Sequence, residues 1–106
     1  MPKYLLHVSY TAEGVKGLLK DGGSKRRAVA QALAESLGGT LDAFYYAFGD
    51  CDVFTIADMP DNSSAPAVSL TLAASGAVTA KVTVLLTPEE IDAAVEKHGS
   101  YTPPGQ

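Results

Sequence analysis

With 106 residues, the chain has the length of one ordinary domain and is too short for two. Its hydrophobic fraction of 46% suits a packed core and excludes a disordered composition. A net charge of -4, with both signs scattered along the chain and only one short basic run, Lys25-Arg26-Arg27, disfavours nucleic-acid binding, which relies on clustered cations.

No apolar run approaches the ~20 residues that a membrane-crossing helix needs. The opening MPKYLLHVSY has neither the apolar core nor the cleavage site of a secretory signal, so a cytoplasmic setting is expected. A single cysteine, Cys51, rules out an internal disulfide. With only His7 and His98 to add, no metal cluster is expected, and no cofactor.

Residues 3–10 alternate as a strand should: Tyr4, Leu6, Val8 and Tyr10 on one side, Lys3, Leu5, His7 and Ser9 on the other. The glycines at 14, 17, 22 and 23 make 11–23 a flexible connection, with room for one helical turn around 15–19. A long helix follows, capped by Ser24, with Val29, Leu33 and Leu37 inward at a spacing of four and Gly38 as its left-handed stop. Aromatic-rich 40–48 predicts a second strand and 52–59 a third; Gly49-Asp50 turns between them into a hairpin. Tyr45 and Tyr46 point to opposite sides, and the pattern does not choose which faces the core.

A helix is predicted over 65–75, with Pro66 in its first turn, Val68 and Leu72 inward and Gly76 closing it. The strand at 78–86 sets Val78, Ala80, Val82, Val84 and Leu86 against Thr79, Lys81, Thr83 and Leu85. Thr87-Pro88-Glu89-Glu90 is a capping box that starts a last helix, with Ile91, Ala94 and Val95 expected inward. The end, 99–106, holds Pro103-Pro104 and is expected to be extended.

Strand, helix, strand, strand, helix, strand is the ferredoxin-like βαββαβ order: an α+β fold with a four-stranded antiparallel sheet, helices on one face and an extra C-terminal helix. Right-handed crossovers put the first and third strands in the centre. The opposite face then collects Leu5, His7, Ser9, Thr79, Lys81, Thr83 and Leu85, with His7 and Lys81 on neighbouring strands. Such a face is too apolar to leave in water. Two copies are expected to pair their sheets, or a ligand to fill the face; a homodimer is the first expectation.

The hairpin segment Phe48-Gly49-Asp50-Cys51-Asp52-Val53 resembles the GYD domain family, named for a Gly-x-Tyr-Asp-like motif at this place. The likeness extends to Thr11-x-x-Gly14, Ala34-Glu35-Ser36-Leu37-Gly38-Gly39 and Thr87-x-Glu89-Glu90, in order and spacing. Gly49 and Asp52 match the motif; Cys51 stands where the family has tyrosine, so no role of that ring carries over. The resemblance implies a ferredoxin-like fold related to dimeric α/β-barrel proteins and no agreed activity.

Each candidate residue has a plainer reading beside the sharper one. Asp52 is a candidate acid or base, yet a carboxylate after a turn more often pins the hairpin. His7 is a candidate proton carrier or anion partner, against a histidine held in an interface. Lys81 is a candidate for a carboxylate or oxyanion, against a solvated strand lysine. Thr83 and Tyr45 join His7 and Lys81 as candidate ligand contacts. Cys51 is expected in a turn, open to exposure, with a small filler residue as the default and not a nucleophile. Lys25-Arg26-Arg27 opposes a helix dipole unless an anion or a partner's acidic groups neutralise it. Met1-Pro2 brings to mind amino-terminal proline bases, a role closed while Met1 is attached.

Three functions therefore stand: a homodimeric module that binds a small anionic or apolar molecule or regulates; a cofactor-independent isomerase or monooxygenase-like enzyme with His7 as proton carrier; and a purely structural interaction protein. The first two require a hydrated pocket lined by His7 or Lys81, and the third a filled interface.

Overall fold

The computed structural model describes residues 2–106, so Met1 and the proline-base reading that depends on it lie outside the described residues. The elements run β1 (Lys3–Tyr10), α1 (Ala12–Asp21), α2 (Gly23–Ser36), β2 (Thr40–Tyr46), β3 (Val53–Asp58), α3 (Ser64–Ala74), β4 (Val78–Leu85) and α4 (Pro88–Val95). The four strands form one sheet in the order β2-β3-β1-β4, with every neighbouring pair antiparallel. β1 and β3 are central, and the arrangement is the ferredoxin-like one.

Alternation along β1 does what period two requires: Tyr4, Leu6 and Val8 are buried while Leu5 and His7 are only half-buried. The same phase runs across the sheet. Val53, Thr55 and Ala57 of β3 and Val78 of β4 join the core beneath α2 and α3, which contribute Ala34, Ala65 and Val68. Met59 and Tyr4 are the largest side chains sealed from water.

A register shift between Leu41 and Ala43 settles the phase of the hairpin. Leu41, Phe44 and Tyr46 turn to the core, and Tyr45 turns to the opposite face opposite Phe54. Phe44 and Tyr46 meet edge-on with ring centres 5.3 Å apart.

Several expectations are corrected. The segment 11–23 is not a loose connection but contains α1, a full ten-residue helix. Thr11 accepts from the Gly14 N–H as its cap, and Thr11 N–H donates to the Ala77 carbonyl, so tertiary bonds overrule two helix-weakening glycines. Ser24 is no cap: α2 restarts one residue after α1, from Gly22 at φ 80° and without a side-chain cap. Gly38, at φ 83°, is the left-handed stop expected of it. Cys51 is buried at 6% exposure, its Sγ 3.4 Å from the Val53 carbonyl, and so is the small filler residue expected, set under the hairpin loop.

The C-terminal end departs most from expectation. The Thr87 capping box forms, with Thr87 Oγ1 accepting from Glu90 N–H and Glu90 Oε1 from Thr87 N–H. It turns the chain into α4 almost at once after β4, so the helix leaves the sheet's end instead of folding back over it. Ile91 and Val95, expected inward, are 46% and 64% exposed, and Ala94 is exposed too. Val84 lies on the helix side, opposite Tyr4, yet nothing covers it. Every residue of 86–106 is exposed. This arm stretches the molecule to 58 Å and its radius of gyration to 17.0 Å, against about 13 Å for a compact chain of this length.

Candidate functional site

The sheet has two faces with different chemistry. On the helix-free face the pairing register places His7 directly opposite Phe54 on one side and Lys81 on the other. Leu5 lies between Ile56 and Thr83, and Tyr45 flanks Phe54. The four sequence-derived ligand candidates, His7, Lys81, Thr83 and Tyr45, therefore share one face. The His7 ring meets Phe54 edge-on at 5.0 Å between centres. Its side chain makes no hydrogen bond among the described residues, so no acidic group orients it as a proton-carrying pair requires. Lys81 and Thr83 are exposed.

Tyr45 also borders an open polar recess of about 340 Å³ along β2, shared with Arg27, Gln31 and Asp42. At the far end of the same face Lys3 Nζ binds Asp42 and, at 3.0 Å, Asp58. Those two hydrogen bonds raise the Lys3 pKa, Asp42 contributing most. One lysine thus bridges two carboxylates there and leaves the cluster with one net negative charge.

Asp52, the acid-base candidate, is engaged with backbone. Its Oδ2 accepts from Tyr10 N–H at 2.8 Å, while its own N–H donates to the Val8 carbonyl at 2.8 Å. The carboxylate thus ties the end of β1 to the hairpin loop, where the ladder between β1 and β3 runs out. Its plainer reading as a pin is correct in kind, with the strand end rather than the turn as its target.

The helix-covered face holds something the sequence did not point to. Between α2, α3 and the sheet lies a cavity of about 80 Å³. Its walls are carbon almost throughout, Leu33, Phe44, Val53, Met59 and Val68 among them, and Arg26 is the one charged residue in the lining. Thr55 also lines it, but its hydroxyl is spent on the Ala43 carbonyl at 2.7 Å. None of His7, Lys81, Thr83 and Tyr45 reaches this space.

Arg26 is partly exposed at 31% and sits 3.6 Å from Asp21, which also lies 3.6 Å from Lys25. One carboxylate thus serves Lys25 and Arg26 from within the chain, removing part of the basic turn's conflict with the helix dipole. Beside Arg26 the Tyr10 phenol is pushed up to about 12, first by burial and then by its hydrogen bond with Tyr46. Tyr46 in turn donates its hydroxyl proton to the Gly23 carbonyl at 3.2 Å.

A raised phenol pKa means that the folded state favours the protonated ring, so the stability it contributes is whole below about pH 10 and fades as pH rises toward 12. Ultraviolet titration is expected to show a late phenolate step near pH 12 that Tyr10→Phe removes. The same variant is expected to flatten the fall in unfolding free energy between those two pH values. A late step that survives the substitution assigns it to another tyrosine.

Compared with known proteins, residues 4–95, from β1 to the last residue of α4, match the model of a family described as the GYD domain. No curated protein and no solved structure matches the chain.

Proposed function

The chain belongs to the GYD domain family, and from that premise we propose that it is a homodimeric module that binds a small molecule. Two copies join through their helix-free sheet faces, and each holds a small, partly apolar, anionic ligand between its sheet and its helices, in a space that His7 and Lys81 do not line and so not in the hydrated pocket expected on the open face. The bare apolar face carries this reading. Tyr45 is 71% and Phe54 37% exposed, with Leu5, Ile56 and Leu85 half-covered around them. Burying such a face is favourable by ~25 cal/mol per Å² of apolar surface, and a self-complementary patch closes naturally into a two-fold dimer.

The C-terminal arm supports the same partner. Its helix has eight residues, below the ~12–15 at which an isolated helix becomes even marginal in water. Ile91 and Val95 lie one turn apart on one side of it and need a surface that their own body does not offer. A second copy supplies that surface while it covers the sheet.

Light scattering at micromolar concentration is expected to return twice the 11.0 kDa of one chain. Phe54→Asp, which sets a charge beside His7 in the middle of the face, is expected to weaken the dimer at least ~100-fold with the circular dichroism unchanged. A wild-type chain that is monomeric under those conditions overturns the dimer.

A further inference from the structure

The cavity beneath α2 exists because small side chains stand where larger ones would close it. Ala30 and Ala34 on α2, Ala57 on β3 and Ala65 on α3 all border it. Ala34, Ala57 and Ala65 are themselves buried at 4% or less. Interiors rarely leave space of this size, since each lost contact costs dispersion energy. At about 80 Å³ it is roughly half the ~150 Å³ of a cavity that admits benzene, so it takes a compact branched chain of about four carbons and nothing drug-sized.

One charged group meets that apolar space. Arg26 is in the lining and is also 31% exposed, which places it where the cavity meets solvent, next to Val29 at 44%. Its partner Asp21 stands at 3.6 Å, too far for a tight fork-to-fork pair, and shares itself with Lys25. Donors on the guanidinium therefore stay open. Tyr10, also in the lining, spends its one hydroxyl proton on Tyr46 and so leaves the guanidinium as the donor.

We propose that this cavity is a binding site for a short branched carboxylate, its chain among Leu33, Val53, Met59 and Val68 and its carboxylate held by Arg26. An alcohol or amine of the same shape lacks the planar pair of acceptors that a guanidinium matches. The site rests on the reading of the chain as a small-molecule-binding module, but it is complete in one copy and independent of the dimer.

The test is titration of the full chain with 3-methylbutanoate, with 3-methylbutan-1-ol as the uncharged match, followed by methyl shifts of Leu33, Val53 and Val68. Saturable shifts are expected with the acid, and at least ~10-fold weaker binding with the alcohol. Arg26→Gln is expected to weaken the acid by a similar factor and to leave the alcohol unchanged. Ala30→Leu, at a half-covered position, is expected to abolish both. Equal binding of acid and alcohol, or indifference of the acid to Arg26→Gln, overturns the carboxylate site while leaving a small-molecule module in place. Absence of methyl shifts with either compound overturns the site and the ligand-binding reading together.

Discussion

Replacing Gly14 by alanine is expected to destabilise the protein by about 3 kcal/mol or more, although alanine is the better helix former. A Cβ at this position would stand 1.9 Å from the Ala77 carbonyl oxygen and 2.9 Å from the Tyr10 ring. The first of these is backbone, already fixed by its hydrogen bond from Thr11 N–H at 2.9 Å, and cannot swing aside. Overpacking of this kind costs ~1–3 kcal/mol where neighbours can yield and more where they cannot. Gly17, one turn further along α1, is the control. Nothing lies within 4 Å of its virtual Cβ, so Gly17→Ala is expected to stabilise by up to ~1 kcal/mol through helix propensity alone. Urea unfolding of the two variants with equal m-values checks both signs. If both alanines stabilise, the close approach of α1 to Ala77 is wrong. The contrast also gives the Thr11-x-x-Gly14 signature a physical content: a capping hydroxyl, then a residue with no side chain where the helix crosses the Ala77 carbonyl.

Met59→Ala is expected to cost about 2–5 kcal/mol, the range for truncating a fully buried large side chain. Met59 is 0% exposed and borders the existing cavity, so its removal enlarges a space that already lacks atoms. On its other side its Sδ would lie 2.5 Å from a Cβ at Gly39, which leaves no room for another residue there. The pair Gly38-Gly39 is thus required twice over, for a left-handed turn and for a close approach. In a domain of about this size the melting temperature is expected to fall by ~10 °C or more, while Met59→Leu, which nearly conserves volume, costs under ~1.5 kcal/mol. A Met59→Ala variant that melts with the wild type would show that the site collapses freely and that the cavity is no fixed feature.

The helix-free face is largely legible in the sequence. Alternation with the right-handed crossover rule put His7 and Lys81 on neighbouring strands of one face, and the register pairs them directly. The hairpin was not legible, because β2 carries a register shift between Leu41 and Ala43 that resets the phase of every later residue. Only pairing with β3 reveals that Tyr46 faces the core and Tyr45 the open side. Asp52 shows the same boundary on a smaller scale: its turn-edge position suggested a pin, but its target, the Tyr10 N–H, lies 42 residues away.

Local chemistry determined the capping box at Thr87, the stops at Gly38 and Gly76, the strands and the order of elements, since each depends on residues a few positions apart. What α4 rests on, whether α1 forms, and the cavity at Arg26 were decided by tertiary structure alone. A lone capped helix carries no record of the surface it needs, and Gly14 looks flexible until the Ala77 carbonyl is set against it. The cavity has no signature in the chain at all. It is the space left when four alanines from three elements meet, and only packed coordinates can bring them together.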